Sequence, residues 1–470
     1  MQAKGASAAE PHKPHRRARR RYQPITLQQI SSIDLLEESR NRLAAGDYVR
    51  AYLIADWLLS NRPDCCSYRD QLERSREQVL KVNSGLSGVA GMFTSSKHTR
   101  QSLDVRLLSM LISVVGSKCK NKLSDLIAAI PNPRLRIALQ INWHARWGDR
   151  QSWEAGMNDY LAMYGLADYR LRIGSRPLNP WSHQHILQRA HFTHDHPQDA
   201  EAGNGRRTKP IQQDGPLVSI VMSAHNSAAT IGYAIRSILK QDYPDFELIV
   251  VDDASTDHTK QLISNLAKTD SRIRLITQAV NSGPYVCRNI AIKRARGRLI
   301  TTHDADDFCH PSRLGLQVDW MARHAESMAV IGHWLRIKPN GELLYHNKRG
   351  GDFLHGGLAT MMYRHEAVHR IGYYDRVRYS GDTEYLFRMR AVYGRDAVAV
   401  LRKPIVLAAS QDTSLTASRS TFTDSFLGDC PSRRDYRQAW ELWHQQCTDH
   451  LYIPEHPDQR PFPAPGAMLA

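Results

Sequence analysis

Apolar and polar positions follow a regular alternation of short strands and helices from Pro216 onward. Four apolar runs stand at 217–222 (LVSIVM), 246–251 (FELIVV), 272–277 (RIRLIT) and 298–302 (RLITT). Continuous apolar runs of this length are typical of strands that are buried on both faces. The stretches between them carry apolar residues at helical spacing. This order predicts an α/β fold, with a mostly parallel Rossmann-like sheet, right-handed crossovers and helices on both faces.

The second half of this region is predicted to be more mixed. A helix is expected after Pro311, followed by a strand with the sequence AVIGHWLRI. The turn signal Pro339-Asn340-Gly341 leads into ELLYH and predicts a β-hairpin. Two more helices are expected between about 359 and 395.

Residues 23–192 show helical rather than strand periodicity. Apolar residues recur at spacings of three and four in two units, 35–63 and 134–166, and each unit is interrupted by a Gly-Asp pair, at 46–47 and 148–149. Each unit predicts a helical hairpin. Both weakly resemble tetratricopeptide helix pairs. The predicted all-α domain is either a docking surface for a protein partner or a domain that packs on the rest.

Composition shifts give the remaining boundaries. We predict a disordered basic tail at 1–22, the helical domain at 23–192, a polar linker at 193–215, the α/β domain at 216–420, and a C-terminal helix with a Pro-rich tail at 421–470 that packs on the α/β domain as a strap.

The formal net charge of +16 is partly a property of the tail, because residues 1–21 contain seven basic residues and one acid. This tail fits either a solubilising segment or contact with an anionic membrane surface. A nucleic-acid partner is not expected. Such binders interleave basic and aromatic residues on one face, whereas the densest basic run of this chain lies in the tail.

The seven cysteines form no CxxC pair, which favours reduced thiols. The first 30 residues lack an apolar signal core, and the most apolar helical stretch, 107–115, is about half a membrane span. The expected location is the cytoplasm, with peripheral association at the inner face of the plasma membrane.

Polar residues follow each of the first three strands. Ala224 and Asn226 lie in SAHNSAAT, where small residues let the backbone approach a flat base. Asp252 and Asp253 end the second strand in VVDDASTDHT and can accept hydrogen bonds from a uracil N–H or a ribose hydroxyl. In NSGPYVCRN, Gly283 and Pro284 precede a helix whose first turn can face phosphate, with Arg288 as a cation. The predicted ligand is a nucleotide.

The fourth strand runs into HDADD at 303–307. Three carboxylates cannot stay in a strand core, so they are expected at the strand end, where ligands bind in parallel sheets. Asp304 and Asp306 can hold Mg²⁺ or Mn²⁺ and, through it, a diphosphate. The alternative is a solvated turn before the helix that starts near Pro311 and Ser312.

These four segments together resemble family 2 glycosyltransferases of the GT-A fold, closely over 216–310 and more loosely to 420. Three positions depart from the family pattern, at His225, Cys287 and His303. The resemblance implies transfer of a sugar, with inversion, from a nucleotide diphosphate sugar. Uracil is the family's commonest base, so a UDP-sugar is the expected donor. The acceptor is expected to be a saccharide or a lipid-linked saccharide in surface polysaccharide synthesis.

Inversion needs one general base for the acceptor hydroxyl. The segment YSGDTEYLFRMR resembles the family's acidic segment, which implies Asp382 as the base and Glu384 as second candidate or acceptor-positioning group. Arg388 is implied as a structural residue or a phosphate partner. By itself, the segment also fits an amphipathic helix with acids at its positive end.

Two other readings stay open at the level of sequence. One is a different nucleotide-sugar or nucleotidyl transferase with the same donor half, which predicts no role for Asp382. The other is a catalytically silent scaffold whose helical repeats bind a partner. The latter requires loss of the metal ligands or of the base, and candidates for both are present.

Overall fold

The computed structural model describes residues 120–174, 186–194, 215–345, 352–410, 423–424, 428–447 and 450–470, with a few isolated positions before them. The chain forms two compact units, residues 1–76 and 77–470, and almost all described residues lie in the second. The predicted basic tail, the helical hairpin at 35–63 and most of the linker lie outside the described residues. The predicted domain boundaries stay predictions.

The helical hairpin predicted at 134–166 is confirmed. Helices α1 (Lys120–Ala128), α2 (Pro133–Trp147) and α3 (Arg150–Ala162) precede strands β1 (Tyr169–Ile173) and β2 (Ala190–His194). Pro133 occupies the first turn of α2. The Asp149 side chain accepts from the Ser152 N–H and caps α3 after the Gly-Asp break. The antiparallel pairing of β1 with β2 adds a small sheet that the helical pattern did not predict.

A nine-stranded sheet forms the centre of the α/β region. Its strands are β3 (Val218–Ala224), β4 (Phe246–Asp252), β5 (Ile273–Thr277), β6 (Leu299–Thr302), β7 (Phe308–Cys309), β8 (Ala329–Ile337), β9 (Leu354–Gly356), β10 (Met362–Arg364) and β11 (Val398–Ala409). The order is β5-β4-β3-β6-β10-β8-β11-β7, with β9 on β8. The first four strands are parallel, as predicted.

The helices of this region are α4 (Ile231–Leu239), α5 (Thr259–Thr269), α6 (Pro284–Ile292), α7 (Arg313–Arg323), α8 (Glu366–Ile371) and α9 (Gly381–Tyr393). Strands β4 and β6 are buried along their whole length. Burial on both faces explains their uninterrupted apolar sequences.

Four strands of this sheet, β7, β9, β10 and β11, were not predicted from the sequence. β10 is three residues long and pairs antiparallel with both β6 and β8. β11 pairs parallel with β8, and its register shifts on both sides of Pro404. Proline cannot donate to a strand ladder, so its presence beside Arg402 and Lys403 hid this strand.

The N-terminal helices pack on the predicted hairpin after β8. Lys338 N–H donates to the Glu342 carbonyl, which confirms the turn. The Asn142 amide donates to the Leu343 carbonyl at 2.9 Å and accepts from the Leu343 N–H at 2.6 Å. Trp153 Nε1 donates to the Gly341 carbonyl at 3.0 Å. Side chains of α2 and α3 therefore satisfy the backbone of this turn.

The C-terminal part packs against α8 and α9, as the strap prediction expected. Helix α10 (Pro431–Gln446) buries Trp440 and Trp443. Beyond it, Ile453 forms a bridge with Gly372, and Leu469 forms one with Val377. Among the described residues, no helix combines the length and apolar character needed to cross a membrane.

Candidate active site

The loops after β3 and β4 are hydrogen-bonded to each other. The Asp253 N–H donates to the Ala224 carbonyl at 2.8 Å. Asn226 has a φ of +47°, a conformation that Asn tolerates better than most residues. Its side-chain oxygen accepts from the Thr256 N–H at 2.9 Å. Ala224 and Asn226 thus shape the loop pair.

Asp252 ends β4 and is 2% exposed. Its Oδ1 accepts no hydrogen bond among the described residues. Buried carboxylate oxygens are normally paired, so an open one at the carboxyl end of a strand indicates a ligand donor. A base N–H or a ribose hydroxyl supplies that kind of donor.

Asp253 holds the third loop. Its two carboxylate oxygens accept from the Ser282 N–H at 2.7 Å and the Gly283 N–H at 2.8 Å. Its carbonyl also lies 2.8 Å from His225 Nδ1. The geometry makes Asp253 a support for the loop, and its predicted contact with the nucleotide stays a prediction.

Gly283 lies immediately before α6 with a φ of +82°. A Cβ there would lie 3.3 Å from Cγ of Arg378. The Arg378 guanidinium donates to the Asn281 side chain at 2.6 Å and to the Leu469 carbonyl at 3.2 Å. Asp253 and Arg378 therefore both hold this loop in place. Arg378 was not predicted from the sequence.

Arg288 and Asp304 form an ion pair at 2.7 Å, with side chains 7% and 35% exposed. Burial lowers the pKa of Arg288, but Asp304 raises it, and the net shift is upward. Arg288 was predicted as a phosphate cation. In this structure it pairs with Asp304, a predicted metal ligand, and its contact with phosphate stays a prediction.

Asp306 and Asp304 are close enough to repel each other. Burial, together with the Asp304 charge, raises the pKa of Asp306 to about 7. A divalent cation between two such carboxylates would relieve this repulsion. Asp307 is oriented differently, since its Oδ1 accepts from the Ala409 N–H at 3.1 Å. The described residues contain no group of three or more His, Cys, Asp or Glu side chains suited to a metal.

The residues present therefore fit a cation that two carboxylates share with substrate oxygens, as Mg²⁺ sites commonly do. They do not fit a site that protein ligands close by themselves.

His303 departs from the family pattern and lies beneath the acidic loop. Arg313 Nη1 is 2.7 Å from His303 Nδ1, and His303 Nε2 is 3.2 Å from the Asp307 carbonyl. Burial and the Arg313 charge hold the pKa of His303 well below its ordinary value. The neutral ring therefore accepts from Arg313 at Nδ1 and donates to Asp307 from Nε2. This pair fixes the base of the loop.

Asp382 lies in the first turn of α9. Its negative charge raises the pKa of Tyr285 and of Arg288, both on α6. The backbone of Gly381, next to Asp382, also lies against Tyr285 of α6. Asp382 is thus near the Arg288–Asp304 pair, although the two regions are far apart in sequence.

Glu384 and Arg388 lie buried in the core, which agrees with the structural alternative for Arg388 and gives no support to an acceptor-positioning role for Glu384. Their side chains are 0% exposed and are paired with each other at 2.9 Å. Glu384 also contacts His444 of α10 at 3.1 Å. Arg388 donates to the carbonyls of Ile371 and Tyr373. Both residues join α9 to its neighbours in the core.

The comparisons with known proteins address the same region. The sequence model described as Glycosyl transferase family 2 matches residues 219–385. The chain carries a family 2 glycosyl transferase domain. All four strand-end loops and Asp382 fall inside it.

Curated relatives match part of the chain. The chain is 40% identical over 127 residues to "UDP-Glc:alpha-D-GlcNAc-diphosphoundecaprenol beta-1,3-glucosyltransferase WfgD" of Escherichia coli, covering 27% of this chain and 49% of that protein. It is 44% identical over 104 residues to "Succinoglycan biosynthesis protein ExoO" of Rhizobium meliloti, covering 22% and 29%. The chain spans about half the length of the first curated relatives it matches.

A solved structure, Staphylococcus aureus TarS in complex with UDP, is 22% identical. The match covers 42% of this chain and 61% of that one, with a TM-score of 0.35.

Proposed function

We propose that this chain transfers a sugar, with inversion, from a nucleoside diphosphate sugar to a hydroxyl of a saccharide or lipid-linked saccharide. The observation that carries the proposal is that Gly381, directly before Asp382 at the start of α9, lies against α6, whose Arg288 holds Asp304 at 2.7 Å. A candidate base and candidate diphosphate ligands therefore lie at one site.

The chain's residues divide the work. Asp252 Oδ1 is buried and accepts no hydrogen bond among the described residues, so it can accept one from the nucleotide base or the ribose. Arg288 and the first turn of α6 face the diphosphate, where positive charge favours its departure. Asp382 takes the proton of the acceptor hydroxyl and so acts as the one general base that inversion needs.

Asp304 and Asp306 would hold Mn²⁺ or Mg²⁺ in this proposal. When bound, such a cation neutralises charge that develops on the leaving diphosphate. The upward pKa shift of Asp306 comes first from burial and then from the Asp304 charge, and this second cause supports a role in cation binding because the two carboxylates lie close together.

A UDP-sugar is the proposed donor, in agreement with the substrate in the printed name of the E. coli relative. The same name mentions a diphosphoundecaprenol-linked acceptor, which supports a lipid-linked acceptor. The proposed place of action is the inner face of the plasma membrane. The basic tail is the proposed contact with anionic lipid, and the helical domain the proposed contact for a protein partner.

A donor screen tests the reaction. Purified protein is incubated with a panel of nucleotide sugars and Mn²⁺ or Mg²⁺, with and without saccharide acceptors, and nucleoside diphosphate release is measured. Release from one donor is expected, with loss on chelation and in Asp306→Ala and Asp382→Asn. Asp319→Asn is the matched control, because this acid lies exposed on α7 and pairs with Arg323.

The outcomes separate the competing readings. Activity that survives in Asp382→Asn favours another nucleotide-sugar or nucleotidyl transferase. A folded protein that binds no donor by calorimetry contradicts the transferase proposal and favours the scaffold.

A further inference from the structure

Tyr285 stands between the two halves of the proposed site. It is buried in the first turn of α6, inside a loop motif that the sequence analysis assigned to phosphate. Neither the proposed donor contacts nor the proposed base explains why an aromatic side chain occupies this position.

The Tyr285 ring contacts the start of α9, the helix that carries the proposed general base Asp382. A Cβ built on Gly381 would lie 3.0 Å from both Cγ and Cδ2 of Tyr285. The backbone of Gly381 therefore lies directly against the ring, closer than a larger residue would permit. The next residue along the chain is Asp382.

The same ring also contacts the donor half. The Arg288 guanidinium lies 5.0 Å from the Tyr285 ring centroid. These residues are three apart on α6, so they are neighbours on one helix face. Arg288 in turn holds Asp304 at 2.7 Å. The Tyr285 ring thus lies between the pair formed by Arg288 and Asp304, the proposed cation ligand, and α9, which carries the proposed general base Asp382.

Asp382 directly follows Gly381, so the contact of Gly381 with the Tyr285 ring brings the Asp382 carboxylate close to Tyr285. Burial and the Asp382 charge raise the pKa of Tyr285 well above its ordinary range, so the phenol stays protonated and can donate. Asp382 Oδ1 also accepts from the Thr383 N–H at 2.8 Å and from the Thr383 hydroxyl at 3.4 Å. Its charge also acts on Arg288 of α6 and on Tyr374, which precedes α9.

We propose that Tyr285 is a positioning residue for the transfer reaction, with its ring setting the distance between α9 and the Arg288–Asp304 pair and its hydroxyl orienting the Asp382 carboxylate. This inference rests on the proposed function, in which Asp382 is the base.

The first test removes the hydroxyl alone. Tyr285→Phe keeps the ring contacts with Gly381 and Arg288, so donor affinity by calorimetry and the KM for donor are expected to stay unchanged. The kcat for transfer is expected to fall about ten-fold or more, the usual scale for a lost hydrogen bond to a charged group. Tyr243→Phe is the matched control, since that buried hydroxyl donates to the Pro216 carbonyl. Its kcat is expected to match the parent.

A double-mutant cycle separates orientation of the base from general packing. In the Asp382→Asn background, Tyr285→Phe is expected to have no further effect on the residual rate, because its target is gone. Multiplicative losses in the cycle, or a Tyr285→Phe effect confined to the KM for donor, would overturn the inference. If Asp382→Asn alone leaves transfer intact, the base assignment of the proposed function fails instead.

A second variant tests the ring contact. Gly381→Ala places a methyl group against the Tyr285 ring, so kcat is expected to fall while donor binding by calorimetry is retained. Gly466→Ala is the control, since a Cβ there meets nothing within 4 Å. An unchanged kcat in Gly381→Ala would contradict the distance-setting role.

Discussion

The Arg313 side chain provides the sharpest test of how the acidic loop is supported. It is 1% exposed and makes three short hydrogen bonds, to the Thr302 carbonyl at 2.6 Å, His303 Nδ1 at 2.7 Å and Thr301 Oγ1 at 3.0 Å. Arg313→Met keeps an unbranched apolar chain and removes every donor. The buried carbonyl of Thr302 and the ring nitrogen of His303 then lose their partner.

The magnitude follows from these contacts. A buried acceptor left without a donor costs about 1–3 kcal/mol. Two such acceptors would cost about 2–6 kcal/mol, and partial recovery by the Thr301 hydroxyl lowers the expected loss in the free energy of unfolding to about 2–5 kcal/mol. That is a large fraction of the total stability of a typical domain, about 5–15 kcal/mol.

Urea unfolding of the whole chain measures this loss, with Arg323→Ala as the control on the same helix. Arg323 is 63% exposed and pairs with Asp319 within α7, so its removal is expected to cost less than about 1 kcal/mol. If both variants lose the same small amount, the Arg313–His303 pair does not support the loop as described. A loss of transfer without a loss of stability would also contradict the reasoning.

Three further expectations follow from buried polar groups. Glu384→Gln is expected to lower the free energy of unfolding by about 3–5 kcal/mol, because it leaves the Arg388 charge buried without its partner, and urea unfolding would show it. Asn142→Ala removes both hydrogen bonds to the Leu343 backbone and is expected to cost about 2 kcal/mol by the same measurement, with little change in kcat. Burial raises the pKa of Glu247, but hydrogen bonds from neighbouring arginine and serine groups outweigh it and the net shift is downward. Its contribution to stability is therefore present above its unfolded pKa and lost as pH falls through the lower folded value, so Glu247→Gln should weaken the dependence of unfolding on pH in the acid range.

The sequence predicted the donor half of the fold well, because its signals are local. The runs at 217–222 and 246–251 became β3 and β4 with nearly the predicted bounds. Parallel strands buried on both faces have few alternatives to a continuous apolar sequence. β10 and β11 were missed, because a three-residue strand and a strand interrupted at Pro404 give no such signal.

The residues of the candidate site were also predicted only in part. The sequence placed Asp252 and Asp304 at strand ends, where the structure has them. It gave no signal for Tyr285 or Arg378, whose contacts join segments about a hundred residues apart. Such contacts depend on how α9 packs on α6, and no local pattern encodes that packing.

By itself, the sequence determined which residues follow the parallel strands, and therefore that acidic and small residues gather at one edge of the sheet. It did not determine which acid of α9 faces that edge. Two residues along a helix differ by about 200° in direction, so Asp382 and Glu384 point to different surroundings. Only the tertiary structure decided between them, because α10 packs on α9 and brings His444 to Glu384, while α6 brings Tyr285 and Arg288 to Asp382.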